Sequence, residues 1–221
     1  MQNEPSNPNL KKTNKNSLPT GYRGPLYTHL LELEKISETQ DPTIKNIFSV
    51  FGPDGHYVLI LFLVIPFLQP IPLFGLSTVV GGIIVIVATL AYFNKPPWVP
   101  ERWSQKTMNR KTILLISAGA EKILTKLKIL VHPRLIFFYQ GPFQFINFFF
   151  LVFNAVILAL PLPIPFSNIV PAVPILLISF GKLEDDGLLT LLAYLYSVLY
   201  VFLVFWLTQG AILSLENLKL L

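Results

Sequence analysis

The sequence has no cysteine and three histidines, and Asp, Glu, Lys and Arg together make up only 13% of its 221 residues. Without cysteine there is no disulfide, no thiolate metal site and no cysteine nucleophile. His29, His56 and His132 are scattered, and no Walker loop, HExxH or Gly-x-Ser-x-Gly occurs. Hydrolase and transferase chemistry therefore lacks its usual signatures, and no metal or cofactor is expected. A secretory leader is missing too: the first 56 residues hold no short apolar core followed by a small-residue cleavage site. We expect the chain to be kept intact.

What is abundant is apolar surface. Hydrophobic residues make up 52% of the chain and its mean hydropathy is +0.58, more than one globular core hides from water. Charge is absent from residues 57–94, 135–181 and 187–215, runs of 38, 47 and 29 residues. About 20 apolar residues cross a hydrocarbon layer as helix, so the last run holds one span and the others allow two passes each.

Six segments follow from these shifts. Residues 1–24, rich in Asn, Ser, Pro and Lys, read as a disordered tail. Residues 25–52 carry apolar stripes, among them Leu26, Leu30 and Leu33, and read as amphipathic surface helices, with a small soluble subdomain as the bland alternative. Residues 53–94 form a first broken hydrophobic repeat. Residues 95–134 carry nine Lys/Arg against two Glu and include an amphipathic helix with Ile113, Ile116 and Ala120 on one side. Such positive loops stay in the cytoplasm, which places the N-terminus there as well. Residues 135–181 form the second broken repeat, and residues 182–221 an acidic turn and a final span. The sidedness of that turn stays open, because Asp and Glu bias orientation little.

The two breaks resemble each other. Pro70-Ile71-Pro72 and Pro163-Ile164-Pro165 each separate an apolar helix from a following one. Paired prolines remove amide donors and leave carbonyls unmet, which hydrocarbon does not tolerate unless protein or water meets them. Matching breaks in two halves are also the pattern of transporter repeats, although single prolines often kink membrane helices without such a role. The expected fold is all-α: a polytopic helical membrane protein with two proline-broken helical repeats, re-entrant or discontinuous, and interfacial amphipathic helices.

Residues 54–77, the Pro97-Trp98-Val99-Pro100-Glu101-Arg102 turn, His132-Pro133-Arg134, and residues 160–174 followed by Glu184-Asp185-Asp186-Gly187-Leu188 together resemble the bacterial exopolysaccharide synthesis ExoD family. The likeness covers about residues 43–209. It implies a multi-pass protein of the bacterial inner membrane linked to production of surface polysaccharide. It assigns no reaction and no catalytic residue.

Polar groups at membrane depth are costly and mark candidate sites. Gln69 and Ser77 at the first break, and Asn154, Ser167 and Asn168 at the second, are candidate substrate-binding residues, with Arg134 as a phosphate partner through its planar fork. Each has a bland reading: the amides and hydroxyls satisfy stranded carbonyls, and Arg134 snorkels. Asp54, His56, Asp185 and Asp186 are candidate proton or ion relay groups, or else solvated turn residues. The expected function is non-enzymatic handling of a lipid, lipid-linked saccharide or polyprenyl phosphate at a pocket between the breaks. The rival is a structural or regulatory subunit of a polysaccharide synthesis or export complex, with self-association open. A membrane enzyme using Asp54, His56 or Asp185 is a third reading. Net charge +5 invites nucleic acid, but the cations cluster beside spans, where anionic headgroups explain them better.

Overall fold

The structure, a computed structural model, describes residues 24–69, 75–96, 101–127, 131–160 and 167–219. The tail at 1–23 and both Pro-Ile-Pro corners, with Pro70, Pro72, Pro163 and Pro165, lie outside the described residues. The described chain is helical, without β-strands: α1 (Pro25–Thr39), α2 (Ile44–Phe51), α3 (Gly55–Val64), α4 (Leu76–Tyr92), α5 (Glu101–Ser104), α6 (Arg110–Leu127), α7 (Pro142–Ala159), α8 (Ile169–Leu183) and α9 (Gly187–Lys219). Among the described residues, three stretches are long and apolar enough to cross a membrane: Ile44–Leu68, Pro142–Ala159 and Gly187–Gly210. The helices Leu76–Tyr92 and Ile169–Leu183 are apolar but shorter.

α4 is helical against its local propensity. It holds Gly81-Gly82 and a run of Val, Ile and Thr, which are weak helix formers in water. In hydrocarbon a helix satisfies every backbone group within the segment, and that requirement overrides propensity. At the upstream end of the first stretch, helix continues through a 3-10 turn at Gly52–Asp54, ahead of the uncharged run that begins at Tyr57. Gly52, with φ 52° and ψ −128°, breaks the axis there, so α2 is not a straight extension of α3.

Two antiparallel hairpins make the bundle. The first joins α3, extended by a 3-10 turn at Ile65–Leu68, to α4; the second joins α7 to α8. Across the hairpins α4 packs on α7 and α3 on α8, and α9 lies along α8. Ile60, Val64, Phe67, Ile84, Leu158 and Ile175 are fully buried where these helices meet. The tightest approach is at Gly81, where an added Cβ would stand 2.6 Å from the Ala155 carbonyl oxygen and 2.8 Å from the Ala159 Cβ. Small residues bring membrane helices together because apolar side chains gain little over lipid, and close backbone packing supplies the attraction instead.

A charged end caps the bundle. α1 packs on α6 and α2, and Leu33, Phe51, Val58, Ile113 and Leu183 form a second apolar cluster joining them to α3 and α8. Of the stripe expected on α6, Ile113 is buried, whereas Ile116 is exposed. The segments ahead of α2 and α6 pair through an antiparallel bridge at Thr43 and Thr107, with Ile44 N–H donating to the Lys106 carbonyl at 2.9 Å. Thr43 also caps α2 by accepting from Asn46 N–H at 3.2 Å.

Candidate functional site

The polar candidates fall at two opposite ends. At the charged end, residues 131–139 fold against the 182–190 turn. Asp186 is fully buried, and its carboxylate accepts from Arg134 Nε at 3.0 Å, His132 N–H at 3.1 Å and Leu188 N–H at 3.0 Å. The last bond makes Asp186 the N-cap of α9, where a carboxylate also meets the positive end of the helix dipole. The main chains bridge as well: Arg134 N–H donates to the Asp185 carbonyl at 3.2 Å, and Gly187 N–H donates to the Arg134 carbonyl at 2.8 Å. A Cβ at Gly187 would run into the Leu135 carbonyl, so this crossing requires glycine.

Lys182 gathers the remaining charges. Its Nζ lies 3.4 Å from Asp54 and 3.8 Å from Asp185, and 5.2 Å from the centre of the Tyr139 ring. The Tyr139 hydroxyl donates to the Asp186 carbonyl at 2.9 Å and stands 2.8 Å from the Thr190 hydroxyl. Burial pushes the Tyr139 phenol well above its ordinary value; the Thr190 bond offsets part of this, and the Asp186 and Asp185 charges add to it. The hydroxyl therefore stays protonated and acts as a donor. Three of the four relay candidates, Asp54, Asp185 and Asp186, and the phosphate candidate Arg134 thus belong to one network.

That network occupies the Arg134 and Glu184-Asp185-Asp186-Gly187 motifs, and a family model described as "Exopolysaccharide synthesis, ExoD" matches residues 26–206. The chain belongs to the ExoD family. It is 32% identical to "Protein ExoD" of Rhizobium meliloti over 159 residues, covering 71% of this chain and 66% of that protein, just under two thirds of its length. It is 29% identical to an uncharacterized protein of Synechocystis sp. over 189 residues, covering 82% of this chain and 89% of that one. No solved structure matches the chain.

At the far end of this ExoD-family bundle the candidates do not converge on one point. Gln69 is exposed, Ser77 is buried on α4, and Ser167 and Asn168 are half-buried ahead of α8. Asn154 is fully buried, and its side chain turns to α9: its Nδ2 donates to the Ser197 hydroxyl at 3.0 Å, and its Oδ1 accepts from the Tyr200 hydroxyl at 2.8 Å. One heptad earlier Asn147 makes the same kind of clamp, its Nδ2 donating to the Phe138 carbonyl and its Oδ1 accepting from the Tyr194 hydroxyl at 2.7 Å. Asn147, Tyr139, Thr190, Tyr194, Ser197 and Tyr200 were not singled out from sequence. Their signal is periodic: Asn at 147 and 154, opposite Thr190, Tyr194 and Ser197 at helical spacing.

His56 stands apart. Its Nδ1–H donates to the Pro53 carbonyl at 3.0 Å, and its Nε2 is buried with no hydrogen-bond partner among the described residues. The residue forms part of the wall of a cavity of about 550 Å³ between α2, the C-terminal end of α4 and α5.

Proposed function

We propose that this ExoD-family chain is a non-enzymatic protein of the bacterial inner membrane that handles a lipid or lipid-linked phosphate for exopolysaccharide production, at a polar pocket between its two proline corners. The observation that carries the reading is a difference in length. Asp54, next to the start of α3, pairs with Lys182, and Asp186 caps α9, so α3 and α9 leave the same charged end. From there α3 and its 3-10 turn rise about 23 Å, and α8 spans about the same, whereas the apolar part of α9 rises about 36 Å. α9 is exposed from Val201 to Gly210, which begins about 21 Å along it, close to the length of α8. If α9 spans a layer of about 30 Å, the described ends of α3 with its 3-10 turn and of α8 lie inside it, and backbone groups stranded there by proline would need polar partners.

The packing supports the repeat reading as well. Exchanging the hairpins carries α3 onto α7 and α4 onto α8, and it carries the α4–α7 contact onto the α8–α3 contact. This is what a pseudo-twofold pair of broken repeats would produce. The described parts of the cationic segment 95–134 meet the charged end at Lys95, Ile113 and Arg134 and support a cytoplasmic orientation for it.

Headgroup translocation in reconstituted vesicles tests the reading. The Gln69→Leu, Asn168→Leu double variant is expected to slow translocation at least tenfold; rates equal to wild type would remove the pocket. The second reading is a subunit of a polysaccharide synthesis or export complex. Co-purification with such a complex, with no translocation by the protein alone, would establish that alternative.

A further inference from the structure

The 550 Å³ cavity at the charged end has a composition that points to a ligand class. Its apolar wall is Phe48, Pro53, Ala91 and Pro96, and its cations are Lys45 from α2 and Lys95 just past α4. Glu101 is the one carboxylate among its described lining residues, which also include Ser49 and Ser104. Two ammonium groups against one carboxylate favour an anion, and ammonium groups bind phosphate as point charges with several donors each. Its size is that of a small-molecule site, and its walls are largely apolar with a few polar groups. His56 also lines the cavity, and its buried Nε2 has no hydrogen-bond partner among the described residues.

The cavity lies where α4 ends and the cationic segment begins, the level at which anionic headgroups would meet the protein. We propose that it binds a phosphate-bearing headgroup, with Lys45 and Lys95 holding the phosphate and Phe48, Pro53, Ala91 and Pro96 contacting the apolar stem beside it. This site is at the opposite end of the hairpins from the corner pocket and does not depend on it.

Calorimetric titration of the full chain in neutral detergent tests the site with three probes: dihexanoylphosphatidate, inorganic phosphate and dihexanoylglycerol. Phosphatidate is expected to bind, and the Lys45→Gln, Lys95→Gln double variant to bind it at least tenfold more weakly. Lys122→Gln, an exposed cation on α6 outside the cavity lining, should leave binding unchanged. Unaltered thermal unfolding of the double variant ties its loss to the site. Inorganic phosphate binding as tightly as phosphatidate, and lost in the double variant, identifies free phosphate as the ligand; binding tenfold or more weakly identifies the headgroup of an amphiphile. Equal binding of dihexanoylglycerol and phosphatidate, or wild-type affinity in the double variant, overturns the proposal.

Discussion

Arg134 and Asp186, 52 positions apart in sequence, are joined by a 3.0 Å ion pair between side chains and by a parallel bridge between main chains. The carboxylate is fully buried while the arginine side chain is 40% exposed. The two partners are therefore unequal: removing the cation strands a buried charge, whereas removing the anion releases a group already in reach of solvent.

From this asymmetry, Arg134→Met should cost about 3 kcal/mol of stability, the range for a buried charge deprived of its partner. Asp186→Asn combined with Arg134→Met should recover part of that loss. SDS-driven unfolding from mild micelles measures both. A double variant as unstable as the sum of the singles would show that the pair is not coupled.

Gly81 and Gly82 are neighbours with opposite surroundings. A Cβ at Gly81 meets Ala155 and Ala159 at under 3 Å, whereas one at Gly82 meets nothing within 4 Å. Gly81→Ala should destabilise by about 1–3 kcal/mol through overpacking of α4 on α7. Gly82→Ala should be neutral or slightly stabilising. The same unfolding titration compares them, and equal effects would contradict the close approach.

The clamp of Asn154 on Ser197 and Tyr200 should behave as interhelical glue. Hydrogen bonds of this kind between membrane helices average about 0.6 kcal/mol and reach about 1.7. A double-mutant cycle of Asn154→Leu with Ser197→Ala should return a coupling in that range. A cycle that returns zero would mean that the two side chains do not share a bond in the folded protein.

Tyr139 gives a pH dependence of definite sign. Its folded-state value is raised by burial, so the unfolded chain releases the phenolic proton first. The stabilisation is complete below the ordinary tyrosine value near 10 and declines as pH rises above it, at up to about 1.4 kcal/mol per pH unit. Thermal unfolding between pH 8 and 11 should show a steeper loss for wild type than for Tyr139→Phe. Parallel profiles would exclude this contribution.

The pairing of Lys182 with Asp54, and of Arg134 with Asp186, puts the acidic turn and the segment 95–134 at the same end. The natural chain has no cysteine, so single introduced cysteines report cleanly. Cysteine in place of Thr107 and of Asp185 should be labelled by an impermeant reagent from one face of the membrane, and cysteine in place of Gln209 from the other. Labelling of positions 107 and 185 from opposite faces would refute the shared end.

The membrane class and the helical fold were legible in the sequence because both depend on local quantities. Uncharged runs such as 187–215 suffice to require lipid, and lipid leaves helix as the way to satisfy the backbone. The ExoD family was legible too, carried by Arg134 and the Glu184-Asp185-Asp186-Gly187 turn among other motifs. Tertiary structure alone decided where the polar groups go. Asp185 and Asp186 look alike in sequence, yet one accepts only a long contact from Lys182 and the other is a buried cap with three donors, because a single turn points their side chains in different directions. Likewise Asn154 reads as a group beside a proline break, and only the lateral packing of α9 against α7 turns it toward Ser197. Hydropathy is a sum along the chain and survives without coordinates, whereas hydrogen-bond partners depend on which helix faces come together.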